Sequence, residues 1–336
     1  MERNAYFDNA KLLLIFLVVF GHAIQPFTSE SRLIYTLYTW IYTFHMPVFI
    51  FLAGFFAKGL GNKQYLIRLF NRLIVPYIIF QIIYTLFYFS IGKENWYMKH
   101  LFYPQWSLWF LLSLFCWHIL LIIFKRIPPY LSISLAFLIG LLIGYVDQIG
   151  HDFSLSRTFV FFPFFLLGYW LNETHIQWLK QNVMKVISVI VMVVMAIFIF
   201  YLPNIDIGWF LSSKSYSTLG FESFGGIIRL GVFLTSILMG ACILAWIPKQ
   251  RLSLTSLGER TVYVYLFHGF IIQIIRQYEL IKVSDFFDLI GIAILSVMIV
   301  MVLTSRFSIT ILQPLVELKA TRLKSYLRDF RESQHY

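Results

Sequence analysis

Long runs of apolar residues limit this chain to a fold that places them in lipid. The strongest runs cover residues 12–20, 74–91, 183–202 and 289–303. An α-helix rises about 1.5 Å per residue, so roughly 17–25 mostly apolar residues cross the hydrocarbon core of a bilayer. Apolar residues make up 59% of the 336 positions and charged residues 13%, whereas soluble domains average about 45–50% and about 25%. These values predict a polytopic membrane protein.

Ten segments are candidates for membrane-spanning helices. They are residues 9–27, 39–57, 73–91, 107–124, 130–146, 158–171, 184–202, 227–247, 261–280 and 289–312. A transmembrane β-barrel would instead show short segments of alternating hydrophobicity. The predicted fold is therefore all-α, a membrane bundle of about ten transmembrane helices over residues 1–313. A basic, amphipathic cytoplasmic tail is predicted over residues 314–336.

The distribution of Lys and Arg predicts the orientation of this bundle. The formal net charge is +11. If both termini are cytoplasmic, the inner segments carry the larger share of Lys and Arg, as the positive-inside rule requires. We therefore expect an N-in/C-in topology, with the basic tail on the anionic membrane lipid of the inner leaflet. The basic charge then needs no nucleic acid as a partner.

The first predicted helix carries a polar stripe. Asp8 and Lys11 are three residues apart and can pair on one helical face. Lys11 and His22 are eleven residues apart, about three helical turns, so they point the same way and lie roughly 16 Å apart along the axis. This stripe predicts one continuous channel, with a cation at the cytoplasmic entrance and an imidazole deeper inside. Taken singly, a snorkelling anchor for Lys11 and an interhelical hydrogen bond for His22 are equally good interpretations.

Two further histidines are predicted to lie near His22. His45 is expected at a similar depth in the second span, where Pro47 would kink the helix and free backbone groups. His268 falls about eight residues, or 12 Å, past the inner edge of the ninth span. Imidazoles in a polar cavity can act as general bases or as acyl carriers. An interhelical hydrogen bond is the alternative role for His268.

Two arginines mark the cytoplasmic start of the third span. Arg68 and Arg72 are spaced i,i+4 and share a helical face. Such pairs suit bidentate binding of phosphate, although a positive-inside anchor is the simpler interpretation. Asp147, His151 and Asp152 have the chemistry of metal ligands, but they fall in a predicted polar outer loop where solvated side chains are expected. We therefore predict no metal.

The order of these motifs resembles the acyltransferase-3 family of membrane proteins. Lys11 and His22 match that family's signature of a basic residue, ten further residues and a histidine. The later matches are Phe44-His45-Met46-Pro47, Arg68-x3-Arg72-Leu-x2-Pro76-Tyr77, Leu108-Trp109-Phe110-Leu111, Phe162-Pro163-Phe164-Phe165 with Gly168, and the stretch 263–268. The amino-terminal stretch 6–11 is most similar to the branch related to fucose 4-O-acetylases.

The resemblance implies an O-acyltransferase of a bacterial plasma membrane. The donor would be a cytoplasmic acyl-CoA, usually acetyl-CoA, and the acceptor a hydroxyl of a cell-envelope or exported carbohydrate. On this basis Lys11, Arg68 and Arg72 would attract the CoA phosphates. The catalytic group would comprise His22 as base or acyl carrier, Asp8 to orient Lys11, and also His45 and His268.

A proton-coupled secondary transporter or glycan flippase is the alternative. Such proteins tend to show two related halves and buried carboxylates. The sequence has no clear internal repeat, and its apolar segments hold very few carboxylates. Both observations favour the enzyme.

Overall fold

A computed structural model of the protein describes residues 4–58, 63–93, 103–150 and 152–326. Within these ranges the regular elements are α-helices and short 3-10 helices, which confirms the all-α prediction. The α-helices are α1 (Ala5–Ile24), α2 (Arg32–Tyr42), α3 (His45–Phe55), α4 (Lys63–Ser90), α5 (Trp109–Phe124), α6 (Pro129–Leu142), α7 (Leu155–Trp170), α8 (Glu173–Leu179), α9 (Asn182–Tyr201), α10 (Gly208–Leu211), α11 (Gly225–Trp246), α12 (Thr261–Gln277), α13 (Phe286–Leu303) and α14 (Arg306–Glu317).

Six helical segments are long and apolar enough to cross a membrane. They are Ala5–Ser29, Arg32–Phe55, Gln64–Ser90, Asn182–Tyr201, Gly225–Trp246 and Phe286–Leu303. Helices α5 and α7, and the segment Pro129–Tyr145, are apolar but shorter. The chain is therefore a multi-pass membrane protein by length and composition, whereas a count of about ten spans and the N-in/C-in orientation stay predictions.

The second predicted span is divided into two helices, α2 and α3, rather than kinked by Pro47. Thr43 Oγ1 donates a hydrogen bond to the carbonyl of Trp40, and the carbonyl of Ile41 lies 2.9 Å from Nδ1 of His45. Both carbonyls lie in the last turn of α2, where helical partners run out, although that of Ile41 also accepts from the backbone N–H of Phe44 at 3.2 Å. Pro47 falls in the first turn of α3, where its missing N–H costs no helical hydrogen bond. His45 therefore begins a helix.

The last predicted span is also divided. Helix α13 ends before Thr304, and Ser305 caps α14 by accepting a hydrogen bond from the backbone N–H of Ser308 at 3.2 Å. Arg260 Nη1 donates to the carbonyl of Thr304 at 2.9 Å and so satisfies the end of α13. The predicted domain boundary at residue 314 falls inside α14, and residues 327–336 of the predicted tail lie outside the described residues.

Helix α1 runs through the interior of the bundle. It packs against α2, α3, α12 and α13, and also against the 3-10 helix Thr255–Arg260. Most of its side chains are buried, whereas α9 exposes most of its apolar side chains. A polar residue on α1 therefore meets other protein groups.

Helices α3 and α7 approach each other closely because each has a glycine at the contact. A Cβ on Gly54 would lie 2.0 Å from the carbonyl oxygen of Phe165, and a Cβ on Gly168 would lie 1.9 Å from that of Phe51. Small residues let membrane helices meet backbone to backbone. This contact fixes α3, whose first residue is His45.

Replacing Gly168 by Ala should therefore destabilise the protein. The added methyl group must push α3 from α7, and overpacking of this kind costs about 1–3 kcal/mol. We expect a lower midpoint of thermal unfolding in detergent. The matched control is Gly231→Ala in α11, where no atom lies within 4 Å of the added Cβ. A midpoint of the Gly168 variant that is equal to or higher than that of the wild type would contradict the close contact.

Candidate functional site

A cavity of about 220 Å³ lies inside the bundle, with His22 and His45 both in its wall. Helix α1 contributes Ile15, Val18 and His22, which recur at the spacing of one helical face. These three span seven residues, or about 10 Å along the axis. The rest of the lining is mainly apolar and aromatic, and includes Tyr42, Met46, Phe49, Leu73, Trp109, Phe110, Thr261 and Tyr265. The cavity therefore follows the predicted stripe over the C-terminal half of α1.

Three aromatic side chains, those of Tyr42, Trp106 and His268, lie next to the ring of His22. Its Nδ1 lies 3.4 Å from the hydroxyl of Tyr42, a long contact. Its ring centroid lies 4.9 Å from that of Trp106 and 5.6 Å from that of His268. Arg276 donates a hydrogen bond to the backbone carbonyl of His22. The imidazole is thus fixed in place while it faces the cavity.

His45 is positioned as a proton acceptor. Its Nδ1 lies 2.9 Å from the carbonyl oxygen of Ile41. A carbonyl can only accept a hydrogen bond, so Nδ1 carries the proton and a neutral ring keeps Nε2 as its acceptor. The ring is almost fully buried and its centroid lies 4.4 Å from that of Tyr42. His45 and His22 therefore line the same cavity, although its wall is mainly apolar rather than polar as predicted.

His268 stacks against the ring of His22. It is not in the cavity wall, contrary to the prediction. Its Nδ1 lies 2.8 Å from the carbonyl of Val264, and its Nε2 is buried without a hydrogen-bond partner in the described residues. Its side chain is 0% exposed. The near-parallel stacking on His22 fixes the orientation of that ring instead.

Asp8 and Lys11 form the predicted ion pair. The distance from Lys11 Nζ to Asp8 Oδ1 is 2.5 Å, with Asp8 buried and Lys11 partly exposed. Both line a second cavity of about 1040 Å³, in which Phe56 and Lys58 also lie. This cavity, named the inner cavity because it lies at the end of α1 that is predicted to be cytoplasmic, shares no lining residue with the cavity around His22. Lys11 and His22 therefore line separate cavities rather than the single channel that the stripe predicted.

Arg68 and Arg72 lie at the start of α4, and both are exposed. Neither is in the wall of the inner cavity or of the His22 cavity, although Leu73, next to Arg72, lines the latter. The arginines are thus close in sequence to the wall of the His22 cavity, whereas Lys11 lines the inner cavity.

Arg276 is a site residue that the sequence analysis did not assign. Its Nη2 donates to Oε1 of Gln25 at 2.8 Å and to the carbonyl of His22, and its guanidinium carbon lies 5.0 Å from the ring centroid of Trp106. Arg276 and Gln25 also line a cavity of about 800 Å³, named the outer cavity because it lies at the end of α1 that is predicted to face away from the cytoplasm. The signal for it was a cation inside an apolar segment, which is costly in lipid.

The described residues contain no group of three or more His, Cys, Asp or Glu side chains placed to hold a metal ion. His151 and the side chain of Asp152 lie outside the described residues.

Comparison with known proteins adds one match. No curated protein and no solved structure matches the chain significantly. The profile of the acyltransferase 3 family, described as an acyltransferase domain, matches residues 4–306. That match contains the stripe of α1, both arginines of α4 and the two histidines of α3 and α12. The chain therefore belongs to the acyltransferase 3 family.

Proposed function

We propose that this membrane acyltransferase moves an acetyl group from cytoplasmic acetyl-CoA to a hydroxyl of a cell-envelope or exported carbohydrate. The observation that carries the proposal is the pair of imidazoles, His22 and His45, in the wall of one cavity inside the bundle. The membrane would be a bacterial plasma membrane, and the branch related to fucose 4-O-acetylases is the one we favour.

The two histidines supply what O-acyl transfer requires. The acceptor hydroxyl must lose a proton as its oxygen attacks the thioester carbonyl, and a positioned imidazole takes that proton. The C–S bond then breaks, and the CoA thiolate receives a proton. His22 can also attack the thioester first and hold the acyl group until the hydroxyl takes it. In both routes His45, which lines the same cavity, can remove a proton through its unprotonated nitrogen.

The inner cavity has the chemistry of a nucleotide site. Lys11 and Lys58 bring two ammonium groups, and Asp8 and Glu173 bring two carboxylates to the same wall. The exposed ring of Phe56 offers a stacking surface for adenine. The ion pair with Asp8 holds Lys11 in place. Arg68 and Arg72 lie exposed on a helical start, where guanidinium groups can bind phosphate in a bidentate way. Each group of cations supports binding of the CoA phosphates, Lys11 and Lys58 in the inner cavity and Arg68 and Arg72 beside the His22 cavity.

The outer cavity supports entry of the acceptor from the opposite end. Gln25 and Arg276 belong to its wall and also contact the residues around His22. Glu30 and Ser284 add polar groups that a carbohydrate can bind by hydrogen bonds. The Nε of Arg276 is buried without a partner in the described residues, so it is a free donor in this region.

The competing transporter function has less support. Proton-coupled transporters use buried carboxylates to carry protons. Among the described residues, Asp8 is the one Asp or Glu that is fully buried, and its partner is Lys11.

Replacing His22 by Ala tests the catalytic assignment. We expect near-normal insertion and abundance but a loss of acyl transfer of at least about 100-fold, because a general base contributes about 10²–10⁴-fold. The measurement is radiolabel from acetyl-CoA in an envelope carbohydrate, compared with a deletion strain. The control is His118→Ala, since His118 lies in α5, outside the cavity wall, and contacts Tyr65 instead. Full activity in the His22 variant would reject the proposed role.

The double substitution of Arg68 and Arg72 by Gln tests the donor site. Phosphates are bound equally in the ground and transition states, so KM for acetyl-CoA should rise while kcat stays nearly constant. We expect a rise of about tenfold, the effect of about 1.5 kcal/mol in charged hydrogen bonds. Arg126→Gln, at an exposed position that follows α5, is the control. A loss confined to kcat would assign these arginines a different role.

A further inference from the structure

Two neighbouring cavities lie at the end of α11, one basic and the other apolar. One has a volume of about 390 Å³ and is lined by Lys180, Lys185 and Lys249. The other has a volume of about 370 Å³ and is lined almost entirely by apolar side chains. Both contain the stretch Trp246, Ile247 and Pro248 in their walls. They are therefore two halves of one continuous surface feature, which takes no part in the site around His22.

The basic half holds three ammonium groups without a carboxylate. Within the described residues none of the three lysines forms an ion pair. Lys180 donates a hydrogen bond to the carbonyl of Ile247 and lies over the ring of Tyr6. Its burial, and then the charges of Lys249 and Lys185, lower the pKa of Lys180 to about 8. An anion placed among the three would relieve this repulsion.

The apolar half is a groove between α1, α11 and α13. Leu12, Leu13 and Phe16 of α1 form one wall, and Val297 and Met301 of α13 form the other. The side chains of Leu13, Val297 and Met301 are between 36% and 49% exposed. The groove therefore opens on the surface of the bundle. It begins beside the lysines and extends into the apolar zone of the bundle.

We propose that the two halves together bind one anionic phospholipid, with its phosphate among Lys180, Lys185 and Lys249 and an acyl chain in the groove. Basic pockets between membrane helices bind acidic head groups. Trp246 lies between the halves, its ring 5.8 Å from Lys185 Nζ and its Nε1 donating to Ser188 at 2.7 Å. Tryptophan at this position suits the head-group level of a bilayer. A soluble phosphate would use the lysines alone, and the groove would then have no occupant.

The test is a binding titration of the full-length protein in detergent, followed by native mass spectrometry. The probes are dioleoyl phosphatidylglycerol, dioleoyl phosphatidylcholine and soluble glycerol 3-phosphate. The variant is Lys185→Gln with Lys249→Gln, which keeps Lys180 and its hydrogen bond to Ile247. We expect about thirtyfold weaker binding of phosphatidylglycerol, since each lysine near an anionic surface is worth roughly a factor of five. Lys319→Gln with Lys324→Gln, which removes the same charge outside the cavity, should bind as the wild type does.

The groove is tested by Val297→Trp and by Leu13→Trp, which place bulk in opposite walls. Each should weaken phosphatidylglycerol binding several-fold, and two variants guard against one that fails to fold. Equal binding of phosphatidylcholine, or unchanged binding in the Lys185 and Lys249 variant, would overturn the proposal. So would an equal loss in the Lys319 and Lys324 control, or displacement of the lipid by glycerol 3-phosphate. None of these results depends on acyl transfer.

Discussion

Hydrocarbon offers a polar group no hydrogen-bond partner, so polar groups at membrane depth must find partners within the protein. His45 and His268 each direct Nδ1 to the carbonyl four residues earlier in the chain. Arg276 donates to the carbonyl of His22. Because these partners all lie inside the bundle, the polar side chains gather around α1, and the apolar side chains of α9 face outward. The cavity between the histidines follows from this arrangement.

The sequence predicted the parts of this arrangement that depend on local periodicity. The eleven-residue spacing of Lys11 and His22 predicted the face of α1 on which His22 lines the cavity, and the i,i+3 spacing predicted the pair of Asp8 with Lys11. Periodicity says which face a residue occupies but not which helix covers that face. Lys11 therefore opens into a different cavity from His22, because the end of α3 and the start of α8 surround it.

Other features depend on contacts between distant segments and could not be predicted from one sequence. The breaks that divide two predicted spans occur where Thr43 and Ser305 satisfy freed backbone groups, and apolar composition does not report such caps. His268 lies near His22, as predicted, but its ring stacks against that of His22 and does not line the cavity. Arg276 carried a visible signal, yet its partners, Gln25 and His22, lie about 250 positions earlier in the chain.

We propose that the thioester reaches the cavity shared by His22 and His45 while the CoA phosphates stay beside Arg68 and Arg72, next to Leu73 in the wall of that cavity. The most direct measurement is an experimental structure of the full-length protein with a thioether analogue of acetyl-CoA, which cannot transfer its acyl group. We expect the acyl carbonyl in contact with the His22 ring. An acyl group that ends in the inner cavity, beside Phe56, would contradict this proposal.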